Sequence, residues 1–123
     1  MNEPLAVVFY SSLLPGSRLA ARLQDLGYRV QTLTALADLP TTCEREKPLV
    51  ALVEISPAAD GQRDIKALRS NPATSHIPVL AFCGKHDKAF AKAAQESGVS
   101  LLALSASALE QLPMLLDQVL EVN

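Results

Sequence analysis

A chain of 123 residues can bury a sizeable core without disulfide or metal staples, and 49% of this one is hydrophobic with only five aromatic residues. A formal net charge of −2, with eleven Lys and Arg scattered and never in a run, excludes the clustered basic footprint that nucleic-acid phosphates require. No apolar stretch approaches the roughly 18–20 residues of a membrane span, and Met1-Asn2-Glu3-Pro4 lacks the basic n-region of a signal peptide.

Leu5 to Tyr10 is a short apolar run that reads as a first buried strand, with a loop from Ser11 to Ser17 behind it. Ser17 fits as the N-cap of an amphipathic helix whose Leu19, Leu23 and Leu26 share one face and which Gly27 ends. Tyr28 to Leu33 alternates and so suits an edge strand. Leu36, Leu39 and Cys43 share a helical face, but Pro40 is tolerated only in a first turn. That helix is therefore expected from about Asp38 to just before Pro48.

The stretch Leu49-Val50-Ala51-Leu52-Val53-Glu54-Ile55-Ser56-Pro57 is the centre of the chain: an uncharged run, one carboxylate, then a proline. Such a run suits a strand buried on both faces of a parallel sheet, which leaves Glu54 at the crevice where open α/β sheets place their chemistry. Asp60-Gly61 opens a third helix with Ile65 and Leu68 facing inward, closed by Ser70-Asn71-Pro72. Val79 to Cys83 is a fourth buried strand, Lys88 to Ser97 a helix ended by Gly98, and Val99 to Leu104 a fifth strand. Ser107 to Val122 carries Leu109, Leu112, Leu116, Val119 and Leu120 at helical spacing, with a kink or a new start expected at Pro113. Five strands alternating with helices predict a doubly wound (βα)5 α/β domain with a parallel sheet, flavodoxin-like, strand order 2-1-3-4-5. It is expected to be a single, stand-alone domain over residues 1–123 with no output domain among them, and a whole short protein and a piece of a longer one both stay open.

Over its whole length the chain resembles the receiver domain of bacterial two-component response regulators. The resemblance is carried by Leu68-Arg69-Ser70-Asn71-Pro72 and His76-Ile77-Pro78-Val79 between the third helix and fourth strand. Leu26-Gly27-Tyr28-Arg29-Val30, Glu46-Lys47-Pro48 and Glu96-Ser97-Gly98-Val99 add to it, as does the leucine-rich last helix. It implies phosphoryl transfer from a histidine kinase to an aspartate ending the third strand, assisted by Mg²⁺ and a lysine. It also implies an acidic pair after the first strand, a Thr or Ser ending the fourth and an aromatic switch on the fifth.

Position by position, the acceptor aspartate falls on Glu54 and the acidic pair on Tyr10 and Ser11, or with a one-residue shift on Ser11 and Ser12. The Thr or Ser falls on Cys83, the aromatic switch on Leu102, and the lysine and its proline on Ser105 and Ala106. The scaffold resembles a receiver, whereas these residues do not reproduce its chemistry.

Glu54 has three readings: an acceptor displaced by one methylene, a fixed charge imitating a phosphoryl group, or a solvated carboxylate at a strand end. Cys83 precedes Gly84-Lys85-His86-Asp87, so a thiol nucleophile or redox centre using Cys83 with His86 is an alternative; a structural cysteine is the simpler one. Cys43 reads as a core position, and the two Cys and two His show no metal-ligand spacing. With two cysteines a disulfide framework is not expected, and a reducing, cytoplasmic setting is. The expectation is a pseudo-receiver working by protein–protein interaction: no enzyme, no cofactor, no metal, no nucleic acid and no membrane. Its partners would be a histidine kinase or other signalling protein, or a second copy docked through helix four, strand five and helix five. Weak residual phosphorylation at Glu54 is the remaining alternative.

Overall fold

Residues that alternate along the strands pack on opposite faces of one five-stranded sheet, buried over residues 50–53 of the third strand and throughout the fourth, and only partly on the second and fifth, which form its edges. The computed structural model describes residues 4–10, 13–55, 61–84 and 88–121. The elements run β1 (Leu5–Phe9), α1 (Leu13–Asp25), β2 (Arg29–Leu33), a 3-10 turn (Leu36–Asp38), α2 (Leu39–Glu46), β3 (Val50–Glu54), α3 (Gly61–Ser70), β4 (Val79–Cys83), α4 (Lys88–Ser97), β5 (Leu101–Leu104), α5 (Ser105–Glu110) and α6 (Leu112–Glu121). All strand pairs are parallel and the order is β2-β1-β3-β4-β5, the expected doubly wound, flavodoxin-like α/β arrangement.

On one face Val7, Ala51, Val53, Val79 and Ala81 pack against Leu39 and Cys43 of α2, Ile65 and Leu68 of α3, and Phe90 and Ala94 of α4. On the other, Ala6, Val8, Leu52, Leu80 and Phe82 meet Leu19 and Leu23 of α1, Ala108 of α5 and Leu112, Leu116 and Val119 of α6. Strands β3 and β4 are covered on both sides, which is why they read as near-continuous apolar runs. Burying a Val or Leu side chain removes it from water at a gain of about 1.5–3 kcal/mol, so a charge is tolerated on these strands only at an end.

Several boundaries differ from the sequence expectation, each for a local reason. Helix α1 starts at Leu13, so Ser17 lies within it and is not its N-cap. Pro15 sits in the first turn, where the missing amide hydrogen costs nothing because no intrahelical acceptor faces it. Strand β1 stops at Phe9, one residue short of Tyr10. Strand β5 begins at Leu101, after Ser100 donates its amide to Val79 O at 2.9 Å. The last helical segment starts at Ser105 instead of Ser107 and breaks at Gln111, whose φ of −112° lies outside the helical basin. Pro113 then occupies the first turn of α6, so the break falls just ahead of the proline.

Between α2 and β3, Lys47 is left-handed at φ 51° and closes the helix by donating its amide to Cys43 O at 2.9 Å. At the end of α3, the buried Thr74 hydroxyl donates to Leu68 O at 2.6 Å. Asn71 Oδ1 accepts from the Ala73 amide at 3.0 Å, and its Nδ2 donates to Glu44 Oε2.

Three glycine-to-alanine variants should rank by what surrounds each position. At Gly98 (φ +113°) a Cβ would meet Arg69 Cγ at 2.4 Å, so Gly98→Ala is expected to cost more than about 2 kcal/mol. Gly27→Ala carries only the backbone penalty of φ +95° with open space around it, about 1 kcal/mol. Gly84→Ala, with open space and no such φ, should stay within about 0.5 kcal/mol in urea denaturation. Cys43 supplies a pH dependence: burial raises its thiol from 9.0 to about 11. Both folded and unfolded thiols are neutral below 9, so stability is intact there and falls as pH rises toward 11. The difference between wild type and Cys43→Ala across that window should be on the order of 2 kcal/mol.

Candidate functional site

The C-terminal ends of parallel strands converge on one edge of the sheet, and there the buried strands first release polar side chains. Glu54, the last residue of β3, is the only acidic residue on any of the five strands, and it is half-buried. It stands in register with Phe82, and the ladder continues one step beyond, with Ile55 donating its amide to Phe82 O at 2.9 Å.

Cys83 ends β4 with 1% of its surface exposed and its Sγ 4.0 Å from Ala103 O on β5. Burial pushes the thiol pKa up, and the Glu54 carboxylate pushes it further in the same direction. A nucleophilic or redox-sensing cysteine needs the opposite shift, supplied by a cation or a helix N-terminus. Cys43 is likewise buried, and both cysteines are free thiols. His86, the base invoked for the thiol alternative, lies outside the described residues, as do Ser11, Ser12, Lys85 and Asp87.

The other predicted positions sit around this pair. Tyr10 follows β1 half-buried and packs against the α1, α5 and α6 layer. Leu102 lies on β5 in register with Ala81 and packs toward the α2, α3 and α4 layer. Leu104 registers with Cys83, and Ser105 follows it directly as the first residue of α5, with no loop between strand and helix. The edge thus brings together Glu54, Cys83 and the β5–α5 junction.

A Mg²⁺ ion requires several hard oxygen ligands in near-octahedral geometry. Among the described residues the strand ends deliver one carboxylate, a neutral thiol, a phenol and a hydroxyl. Among the described residues no group of three or more His, Cys, Asp or Glu could hold a metal. This donor set does not fit Mg²⁺.

A cavity of about 590 Å³ lies at the opposite edge, where Pro4, Leu49 and Pro78 precede their strands and Arg29, Lys47 and His76 stand around it. None of the predicted site residues lines it. Sequence reasoning also passed over Arg69, whose guanidinium makes four hydrogen bonds. Its signal was a charged residue directly after the inward-facing Leu68, within the stretch most similar to receivers.

No protein-family model matches the chain, and no curated protein matches it either. Solved structures do. The receiver domain of a sensor histidine kinase from Pseudomonas aeruginosa, with a magnesium ion coordinated in its active-site cleft, superposes with a TM-score of 0.84 at 16% identity, over 97% of this chain and 98% of that one. Vibrio cholerae chemotaxis protein CheY4 gives 0.83 at 18% identity, over 96% and 99%. The Mn²⁺-bound response regulator Rcp1 gives 0.77 at 15%, over 98% and 96%. Fold, strand order and length therefore agree across nearly the whole of each chain: this protein has the fold of a response-regulator receiver domain.

Proposed function

We propose that the chain is a pseudo-receiver, one receiver-like signalling domain that acts by binding another protein and is not switched by phosphorylation of its own. The observation that carries this reading is Glu54 as the only acidic residue on the strands, beside a thiol that burial keeps neutral. An acceptor carboxylate attacks phosphorus only while cations neutralise the charge growing on the phosphoryl oxygens. At this edge the positions that the resemblance assigns to the acidic pair and the lysine carry Tyr10, Ser11 or Ser12, and Ser105. Glu54 is then a permanent strand-end carboxylate, and the chain is not an enzyme.

The interaction surface in this reading is the face of α4, β5 and the helices that follow it. Strand β5 is Leu-Leu-Ala-Leu, without a charge, and its Leu104 is 41% exposed at the end of an edge strand. Edge strands that avoid pairing usually carry charge or proline. Another signalling protein, a histidine kinase among them, or a second copy fits this face. No helix among the described residues is long and apolar enough to cross a membrane, and a cytoplasmic location belongs to the same proposal.

Amide NMR titration with Mg²⁺ and then beryllofluoride, a phosphoryl mimic, is expected to leave Glu54, Cys83 and Ser105 unshifted. Acetyl phosphate with Mg²⁺ should add no phosphoryl mass. Shifts at those residues that spread to Leu102 and α6 would reveal a live site and overturn the proposal. The thiol reading is tested separately by iodoacetamide alkylation against pH. Cys83 should react with a midpoint above that of a free cysteine, and Glu54→Gln should lower the midpoint without bringing it to the free value, because burial is the larger cause. Rapid alkylation of native Cys83 near neutral pH would favour the thiol enzyme instead.

A further inference from the structure

Arg69, in the last turn of α3, is half-buried, and among the described residues no salt bridge involves it. It faces oxygens of three other segments. Nε donates to Gly98 O at 2.8 Å, and Nη1 donates to Ser75 O and Ile77 O, both at 2.7 Å. Nη2 donates to Ser100 Oγ at 3.1 Å, and that hydroxyl accepts the Val79 amide at 3.1 Å. One guanidinium thus ties the end of α3 to the α3–β4 connection, to the residue that stops α4 and to the residue that enters β5.

The fork geometry decides what can do this. Three carbonyl dipoles converge on one cation, and only a planar group with several fixed donors can meet them together. Hydrogen bonds to an ionised donor are worth roughly twice neutral ones. Without the cation, partly buried carbonyls at Ile77 and Gly98 lose their partner and their dipoles oppose one another. Gly98 has to be glycine for the same contact, since a Cβ there would occupy the place of the Arg69 side chain.

We infer that Arg69 is the positioning residue of the α4–β5 face, setting its arrangement from the end of the sheet opposite Glu54; as a statement about docking, this rests on the interaction reading above. The exit of α4 and the entry of β5 are fixed at the Arg69 cradle, and the face takes its shape there.

The test is NMR on the free protein carrying Arg69→Ala. Amides of Val79, Val99 and Ser100 should exchange about tenfold faster, while Val8 and Leu52 in the central sheet change by less than about twofold. The amide resonances of Leu102 and Leu104 should shift. Guanidinium ion at a few tens of millimolar, far below denaturing levels, should reverse both effects, and urea or sodium chloride at equal concentration should not. A uniform rise that includes Val8 and Leu52, no movement at Leu102 and Leu104, or equal rescue by urea would each overturn the inference. Should Arg69→Ala not fold, Arg69→Lys and Ser100→Ala take its place. Each should loosen the same amides by a smaller factor, about threefold, and no local effect in either sinks the idea. These readouts need no partner. Failure of the docking reading shows elsewhere, as Leu104→Glu leaving self-association and partner capture unchanged.

Discussion

Complete burial of β4, and of β3 up to Val53, is the constraint on which the rest of the molecule depends. Val50 to Val53 and Val79 to Phe82 have no exposed surface, with helices on both sides of the sheet. An unpaired charge in such a place would cost far more than any contact could return. Polar chemistry is therefore confined to strand ends and to the connections that follow them. Among the described residues this leaves a carboxylate and a thiol at the C-terminal ends of β3 and β4, and at the N-terminal edge it leaves room for the Arg69 network.

The electrostatics of the two edges run in opposite directions. At one, burial raises the Cys83 thiol pKa, and the Glu54 carboxylate raises it further. At the other, a cation is held by neutral carbonyl dipoles, an arrangement that does not depend on a counter-charge and is little affected by salt. The two edges thus differ in kind: an acid and a buried thiol at one, a cation among carbonyl oxygens at the other.

Much of this was legible in the chain. The five strands, their order and the inward faces of the helices follow from apolar runs and helical spacing, because strands covered on both faces admit nothing polar. The positions around Glu54, Cys83 and Leu102 could be placed because they end or lie within those runs. What stayed hidden depended on contacts between distant segments or on first-turn rules. Pro15 and Gly16 read as a loop, although proline is harmless at a helix start. The break ahead of Pro113 was legible, but the start of that segment at Ser105, directly after β5, was not. Lys47 adopts a left-handed backbone without being glycine, and nothing local announces that. The role of Arg69 was not legible because two of its partners lie 29 and 31 residues away.

The two borders of the sheet are unlike. Strand β2 presents Arg29, Gln31 and Thr32, whereas β5 presents only leucine and alanine. Hydrogen-bonded joining of two β5 borders would consume the unguarded side of both molecules and leave polar β2 strands facing outward. Growth by strand addition then terminates at a pair, since a twofold contact of this kind uses the same surface on each copy. Were two copies to join through β5, the pair would have no second border of the same kind to offer a third.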